Sequence, residues 1–517
     1  MFEKIVKNII KYIFLILFIL ILFINICFSS INYFCKKEFL NSNVIIVSIS
    51  IGLLCIGYFI KHKTKLFNFK CHSNKFILFL TLILFILEVY IANNIYFKTG
   101  WDAGFINNIA QAIAEKNNDV VINSSYYFSH YPNNIIITLL FSLIIHIHTM
   151  IGFIQPGDGY FGIIIFQCFL FALTGLLIYR IIAAYTRSNK YAYLGWIFYV
   201  VLLGLSAWYV IPYSDGTGLI FPVLILYIYQ KLDNQKLTIV KWGLIMLLSY
   251  WGYRIKPQVI IILIAIIIVE LIKFFSSSID LKIIKKKIIV LLTCVFVGVF
   301  SIKTNESLVH KSGFILNKED NIGMIHFAKM GLNNKTNGVF NQDDVDYSMS
   351  IPTEKERNRR NIEIIKKRLN NYGISGIAKH MVKKTLVNFN DGTFAWGAEG
   401  HFYNEIKTNV NTTVAPRLKK IYYNGGKYYK YLSTLEQMFW IVSLILLLGI
   451  WFSKSNDNVL FVILLSLIGI TIFELIFEAR ARYFIVYVPL FITCAMIGLR
   501  EIMNFRIKKE GLNYGTD

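Results

Sequence analysis

The 517-residue chain is 56% hydrophobic and 16% charged, with a mean hydropathy of +0.55; soluble domains carry roughly a quarter charged residues, so this composition excludes one. Its 53 Lys and Arg against 30 Asp and Glu give a formal net charge of +23. The cations fall between long apolar runs, not along one basic face, which excludes a nucleic-acid binder.

A helix crossing about 30 Å of hydrocarbon needs roughly 20 apolar residues. In chain order, suitable runs lie at 12–34, 44–60, 76–97, 159–180, 191–211, 216–231, 238–253, 257–275, 286–303, 436–453, 458–477 and 483–499. Met1 to Lys11 is basic like the start of a signal peptide. The run behind it is too long and lacks a small-residue cleavage site, so it reads as a retained helix. A thirteenth run, 134–153, is apolar but carries His146 and His148.

Lys and Arg in short loops set orientation. Lys4, Lys7 and Lys11 at the N-terminus, Lys61 to Lys75, Arg180, Arg187 and Lys190, Lys282 to Lys287, and Arg506, Lys508 and Lys509 all ask for the cytoplasmic side. These demands agree only if 134–153 lies along the outer interface instead of spanning. The expectation is an all-α polytopic membrane protein with about 12 transmembrane helices, both termini cytoplasmic, one interfacial helix and one α-containing extracytoplasmic domain. Four parts follow: two N-terminal helices (1–75), a membrane core (76–303) with outer loop 98–158, an outer domain (304–435), and C-terminal helices with a cytoplasmic tail (436–517).

In the outer domain, Thr353 followed by Glu356 forms a capping box that starts a helix, Gly373 stops it, and a second helix follows from about 375 to 388. The domain holds 20 Lys and Arg against 12 Asp and Glu, a net of +8. That charge suits an anionic acceptor and equally suits anionic lipid. Asp391, Trp396 and Glu399 in NDGTFAWGAEG read either as an acid–aromatic sugar site or as a tight Gly-rich turn. All seven cysteines (27, 35, 55, 71, 168, 294, 494) lie in or beside spans. The outer domain therefore has neither a disulfide framework nor Cys/His metal spacing.

The informative charges are those that break the positive-inside pattern. Arg254 and Lys256 (YRIKP), and Arg480 and Arg482 (EARARYF), stand at outer helix ends. A cation is retained there when it has an anionic partner, either lipid headgroups or the phosphate of a lipid-linked substrate. Glu474 and Glu478 are alternative partners that would orient the arginines. Asp102 in TGWDAGF and Asp215 in PYSDGTG sit at helix mouths, as caps or as site residues. Glu88 and Glu270 lie within spans, where each needs a partner. SSYYFSHYPNN (124–134) is a Tyr-rich approach to the interfacial helix.

This order of features resembles the GT-C superfamily of integral-membrane glycosyltransferases, such as protein O-mannosyltransferases and lipid A aminoarabinose transferases. Trp101-Asp102 after the 76–97 span, His130-Tyr131-Pro132 before the interfacial helix, and Asp215 after the next two spans match the family's order over 76–303. The family's Pro-Pro is Pro132-Asn133 here, and the outer domain sits between spans nine and ten. The outer domain also resembles, more distantly, that of Gram-positive cell-wall glycosyltransferases.

The resemblance implies a polyprenyl-phosphate sugar donor and an outward-facing site. The acceptor would be a polysaccharide, a teichoic acid or a lipid-linked glycan. Asp102 would be the base and Asp215 a second catalytic acid. Arg254, Lys256, Arg480, Arg482, Tyr131 and His130 would bind substrate. A divalent metal is compatible with this reading but not required by the sequence. The competing classes are a transporter or flippase of lipid-linked sugars and a non-enzymatic scaffold of a wall-synthesis complex.

Overall fold

In the computed structural model the described residues are 2–28, 43–52, 74–152, 159–232, 237–276, 281–399 and 413–513. The basic stretch from Lys61 to Lys70, Cys35, Cys55, Cys71 and the Glu399 side chain lie outside them, as do the side chains of Arg506, Lys508 and Lys509. The architecture is helical throughout, with no β-strand among the described residues.

Nine described helices are long and apolar enough to cross a membrane, by length and composition. Eight of them coincide with expected spans. The ninth is 132–150, expected at the interface. Of the four other expected spans, 44–60 is described as far as 52. The remaining three are helices below that measure: Asn189–Tyr199, Ile220–Lys231 and Thr238–Ile255. The first continues as a π-turn at Val200–Gly204, where Leu205 N bonds back to Val200 O at 2.8 Å.

The helix Gly159–Thr186 is the hub, packing against Asn74–Ile95, Asn189–Tyr199, Ile220–Lys231 and Val488–Asn513. It is apolar on every side, as a helix enclosed by others must be. Leu281–Lys311 is the opposite case: only 11% of its apolar window is buried. Leu291, Leu292 and Phe296 are among the most exposed large side chains in the molecule, a surface that only lipid solvates without penalty. The Ile135–Met150 helix packs along Asp102–Ala114 and also touches the hub.

Two ends of the bundle can be told apart. At one, Lys7 is buried and donates to Glu3 (2.7 Å), the carbonyl of Asn456 (2.6 Å) and Asn458 (2.7 Å). Lys11 donates to the carbonyl of Ser453 at 2.7 Å. The Asn458–Ile476 helix runs from this end to the other, where residues 477–487 lead into Val488–Asn513.

Residues 304–435, the stretch expected as the outer domain and called so below, build on that second end. Thr353 caps Glu354–Phe389, accepting from Glu356 N at 3.4 Å, and Gly373 (φ 56°) breaks the helix in two, as the sequence requires. Much of the domain's charge holds its own fold. Buried Arg357 donates to four carbonyls, those of Glu319, Asn321, Ser348 and Ile351, and Arg368 pairs with Asp344 at 2.7 Å.

The 304–435 stretch is not a body apart from the bundle. Phe389, Phe394 and Trp396 are fully buried, while Trp440 and Trp208 donate to the carbonyls of Phe389 (2.9 Å) and Thr393 (2.8 Å). Asp391 closes a tight turn by accepting from Thr393 N (2.8 Å), Thr393 Oγ1 (2.7 Å) and Ala395 N (2.9 Å). The NDGTFAWG segment is therefore a buried turn, and the sugar-site reading of Asp391 and Trp396 is set aside.

One seam joins the outer domain to the second end. Lys384 Nζ donates to the carbonyls of Phe477 (2.5 Å) and Gly331 (3.1 Å), and Ala479 N donates to Gly338 O at 2.8 Å. A side chain at Gly331 would press into the carbonyl oxygens of Ile476 and Phe477. Gly331→Ala is expected to destabilise the protein by about 1–3 kcal/mol through overpacking. A lowered thermal midpoint in detergent would register it. Gly52→Ala, where a methyl meets nothing within 4 Å, should leave the midpoint unchanged.

Candidate functional site

Four separate chain segments converge beside that seam. The first is the start of Asp102–Ala114. Trp101 is its N-cap residue in extended conformation, and Asp102 occupies the first turn without capping it. The helix is tied to the next segment by Asn107, which donates to Pro212 O at 2.9 Å.

The second segment is the turn 205–218. Gln167, a lone amide in the apolar hub helix, threads it. Its Nε2 donates to the carbonyls of Trp208 (3.3 Å), Tyr209 (3.1 Å) and Ile211 (2.7 Å), and its Oε1 accepts from Tyr213 N at 3.4 Å. Asp215 lies in the short helix Ser214–Gly218, again without a capping bond. The cap reading therefore fails for both acids.

Lys256 forms the third. The chain leaves Thr238–Ile255 and is extended at Lys256 (φ −143°), and Pro257 opens the next helical turn, as its fixed φ favours. Lys256 is buried and meets Asp215 at 2.5 Å, with its ammonium 4.4 Å from the Tyr483 ring centroid.

The fourth is the interhelical segment 477–484. Phe477 and Arg480 are extended, so alternate residues share a side. Ala479 and Ala481 are buried on the seam side. Glu478 and Arg480 face each other at 3.8 Å, and Arg482 reaches Asp215 at 3.8 Å. The guanidinium of Arg482 lies 4.2 Å from the Trp101 ring centroid and 5.6 Å from those of Tyr213 and Tyr483, a cation–π box that fixes its plane.

Asp102 is half-buried. Burial pushes its carboxyl above the usual aspartate range. Arg482, hydrogen bonding from the Tyr127 hydroxyl, Arg480 and hydrogen bonding from Tyr213 pull it back. Tyr127 accepts from Asn134 Nδ2 at 2.7 Å. Tyr131 stacks near Tyr127, with ring centroids 5.2 Å apart, and its hydroxyl is held up by burial, Asp102 and Glu478.

The structure thus brings together Asp102, Asp215, Lys256, Arg480, Arg482 and Tyr131. Two other expected members make different contacts or none with these side chains among the described residues. His130 is buried, with Nδ1 on the Tyr126 carbonyl at 2.8 Å, and its own carbonyl accepts from Ile322 N of the outer domain at 3.3 Å. It fastens loop 98–158 to that domain. Arg254 ends a helix two residues before the chain turns, and it forms no ion pair among the described residues.

Trp101, Tyr127, Tyr213 and Tyr483 join the expected members of the site. The lone Gln167 and the two-residue alternation in EARAR were the sequence signals available. Of the acids within spans, Glu270 accepts from Tyr229 at 2.9 Å and faces Lys287 at 3.7 Å. Glu88 is fully buried and its carboxylate oxygens find no hydrogen-bond donor among the described residues. No group of three or more His, Cys, Asp or Glu placed to hold a metal ion occurs among the described residues.

A family model described as conserved hypothetical integral membrane protein matches residues 2–502. No curated protein and no solved structure matches the chain.

Proposed function

We propose that this chain, which belongs to the family of conserved hypothetical integral membrane proteins, is a GT-C-type glycosyltransferase that moves a sugar from a polyprenyl-phosphate carrier to an extracytoplasmic acceptor. The observation that carries the reading is the position of Arg482. It stacks on Trp101 beside Asp102, faces Asp215, and lies on the same short segment as Arg480. A potential base and a cluster of phosphate-binding cations thereby share one pocket of side chains.

In this mechanism Asp102 accepts the proton of the acceptor hydroxyl as its oxygen attacks the anomeric carbon. The bond from that carbon to the phosphate oxygen breaks with its electron pair going to the phosphate, which inverts the configuration. The leaving phosphate is weakly basic and takes no proton from the protein. Arg480, Arg482 and Lys256 stabilise its charge. Asp215 pairs with Lys256 and Arg482, which fixes the cations before substrate arrives. Tyr131, at the Asp102 side, contacts donor or acceptor hydroxyls.

Nucleotide sugars are cytoplasmic, so a lipid carrier suits a site on the outer face. That orientation, with both termini cytoplasmic, follows from the loop lysines. The acceptor class is a wall or surface polysaccharide, a teichoic acid or a lipid-linked glycan.

Composition analysis of surface polymers from a deletion strain tests the reading. A sugar substituent should disappear, return with the wild-type gene, and stay absent with Asp102→Asn. Identical polymers in the deletion and parent strains overturn the proposal. Restoration by Asp102→Asn would point instead to the scaffold or transporter.

A further inference from the structure

We propose that the end of the bundle opposite this site holds the phosphate of an anionic glycerophospholipid. Five helix ends and the 456–459 turn enclose a cavity there of ≈ 600 Å³. Among the described residues, its lining cations are Arg187, Lys231, Lys241 and Lys273, and its lining acids are Glu3, Glu270 and Asp457.

Each of these acids already accepts a hydrogen bond from the protein. Glu3 accepts from Lys7 at 2.7 Å, Glu270 accepts from Tyr229 at 2.9 Å, and Asp457 caps the Asn458–Ile476 helix by accepting from Val459 N at 2.8 Å. Arg187, Lys231 and Lys273 form no ion pair among the described residues. Lys241 is buried, its ammonium 4.5 Å from the Tyr229 ring centroid. The cavity therefore presents Arg187, Lys231 and Lys273 to whatever enters it, and an oxyanion is the complement.

Arg187 adds an independent observation. It follows the C-terminus of Gly159–Thr186 in left-handed conformation, φ 53°. Glycine adopts that conformation without strain, and an arginine does not. The strain is sustained at the one arginine among the described residues that line the cavity. Lipid is the source favoured by position, because the cavity lies among the ends of apolar helices and not in a separate aqueous domain. The inference does not depend on the glycosyl-transfer reading, since its ligand, its residues and its test lie at the other end of the bundle.

The purified full-length protein in neutral detergent provides the test. Phosphatidylglycerol should raise the thermal midpoint saturably, and native mass spectrometry should retain one lipid per chain. Phosphatidylcholine should do neither. Combined Arg187→Ala, Lys231→Ala and Lys273→Ala should weaken the apparent affinity for phosphatidylglycerol at least tenfold. Lys285→Ala with Lys286→Ala removes basic charge outside the cavity lining and should leave it unchanged. If the triple variant does not purify, Lys231→Gln with Lys273→Gln should give a smaller loss in the same direction. Equal stabilisation by phosphatidylcholine, or an equal loss in the Lys285/Lys286 control, overturns the site. Inorganic phosphate matching phosphatidylglycerol overturns the lipid assignment.

Discussion

Asp102→Asn is expected to lower the rate of sugar transfer by about 10²–10⁴-fold, the usual contribution of a positioned general base, while the protein still inserts and binds its donor. Asparagine keeps the shape of the side chain at the start of Asp102–Ala114, and since Asp102 makes no capping bond there, the helix loses little. The measurement is turnover in reconstituted vesicles with a polyprenyl-phosphate sugar, alongside donor binding.

The pH dependence follows from the same carboxyl. The reaction needs its ionised form, and burial raises its pKa, so activity should fall as pH drops through a value above that of an ordinary aspartate. Tyr127 hydrogen-bonds the ionised form and lowers that pKa. Tyr127→Phe should therefore move the acid limb of the rate profile to higher pH. A limb unchanged in Tyr127→Phe, or full turnover in Asp102→Asn, would sink the assignment of Asp102 as base.

Arg482→Gln should be the second severe change, lowering turnover by about 10²–10³-fold, the cost typical of losing one preorganised group that stabilises transition-state charge. Arg482 is buried on Trp101 and faces Asp215, and only its guanidinium lies over that ring among the described residues. Asp215 keeps Lys256 at 2.5 Å, which spares it the full penalty of a buried unpaired charge. The loss should therefore appear in turnover more than in thermal stability. Arg254→Gln is the comparison. Arg254 stands outside the ion pairs of the site, and its removal should change turnover less than about threefold, a few tenths of a kcal/mol. Equal losses in both variants would return the cation argument to lipid headgroups.

That comparison also marks how far the sequence could be read. Apolar runs long enough to cross a bilayer located the helices, because length and hydropathy are local properties. Thr353, Gly373 and Pro257 announced local breaks and caps for the same reason, and each does what its side chain dictates. Which cations belong together is not local. Arg254 and Lys256 are two residues apart, yet the helix ends between them, and only the second enters the Asp215 pair. His130 sits beside Tyr131 in the motif, but a bond to its own helix carbonyl buries it.

The polar NDGTFAWG stretch looks solvent-exposed by composition. It is buried because groups outside the segment satisfy it: Trp208 donates to Thr393 O, Gln437 Oε1 accepts from Gly392 N at 2.5 Å, and Trp440 donates to Phe389 O beside it. The EARAR alternation was readable as extended chain, since period two places Glu478 and Arg480 on the side opposite Ala479 and Ala481. It is short and lies between two helices of period 3.6.

The seam between the outer domain and the second bundle end has a consequence for chimeras. Burial pulls the Lys384 ammonium down to about 8, against Glu474 and Glu478. The amine nonetheless fastens Phe477, five residues before Arg482, and Gly338 fastens Ala479. An exchange cut at residues 303 and 436 would separate these partners and graft a foreign clamp onto a native arginine segment. A graft that carries residues 474–482 along with 304–435 keeps them matched. The heritable unit of this protein is thus discontinuous in sequence: a domain and the distant strip of chain that it grips.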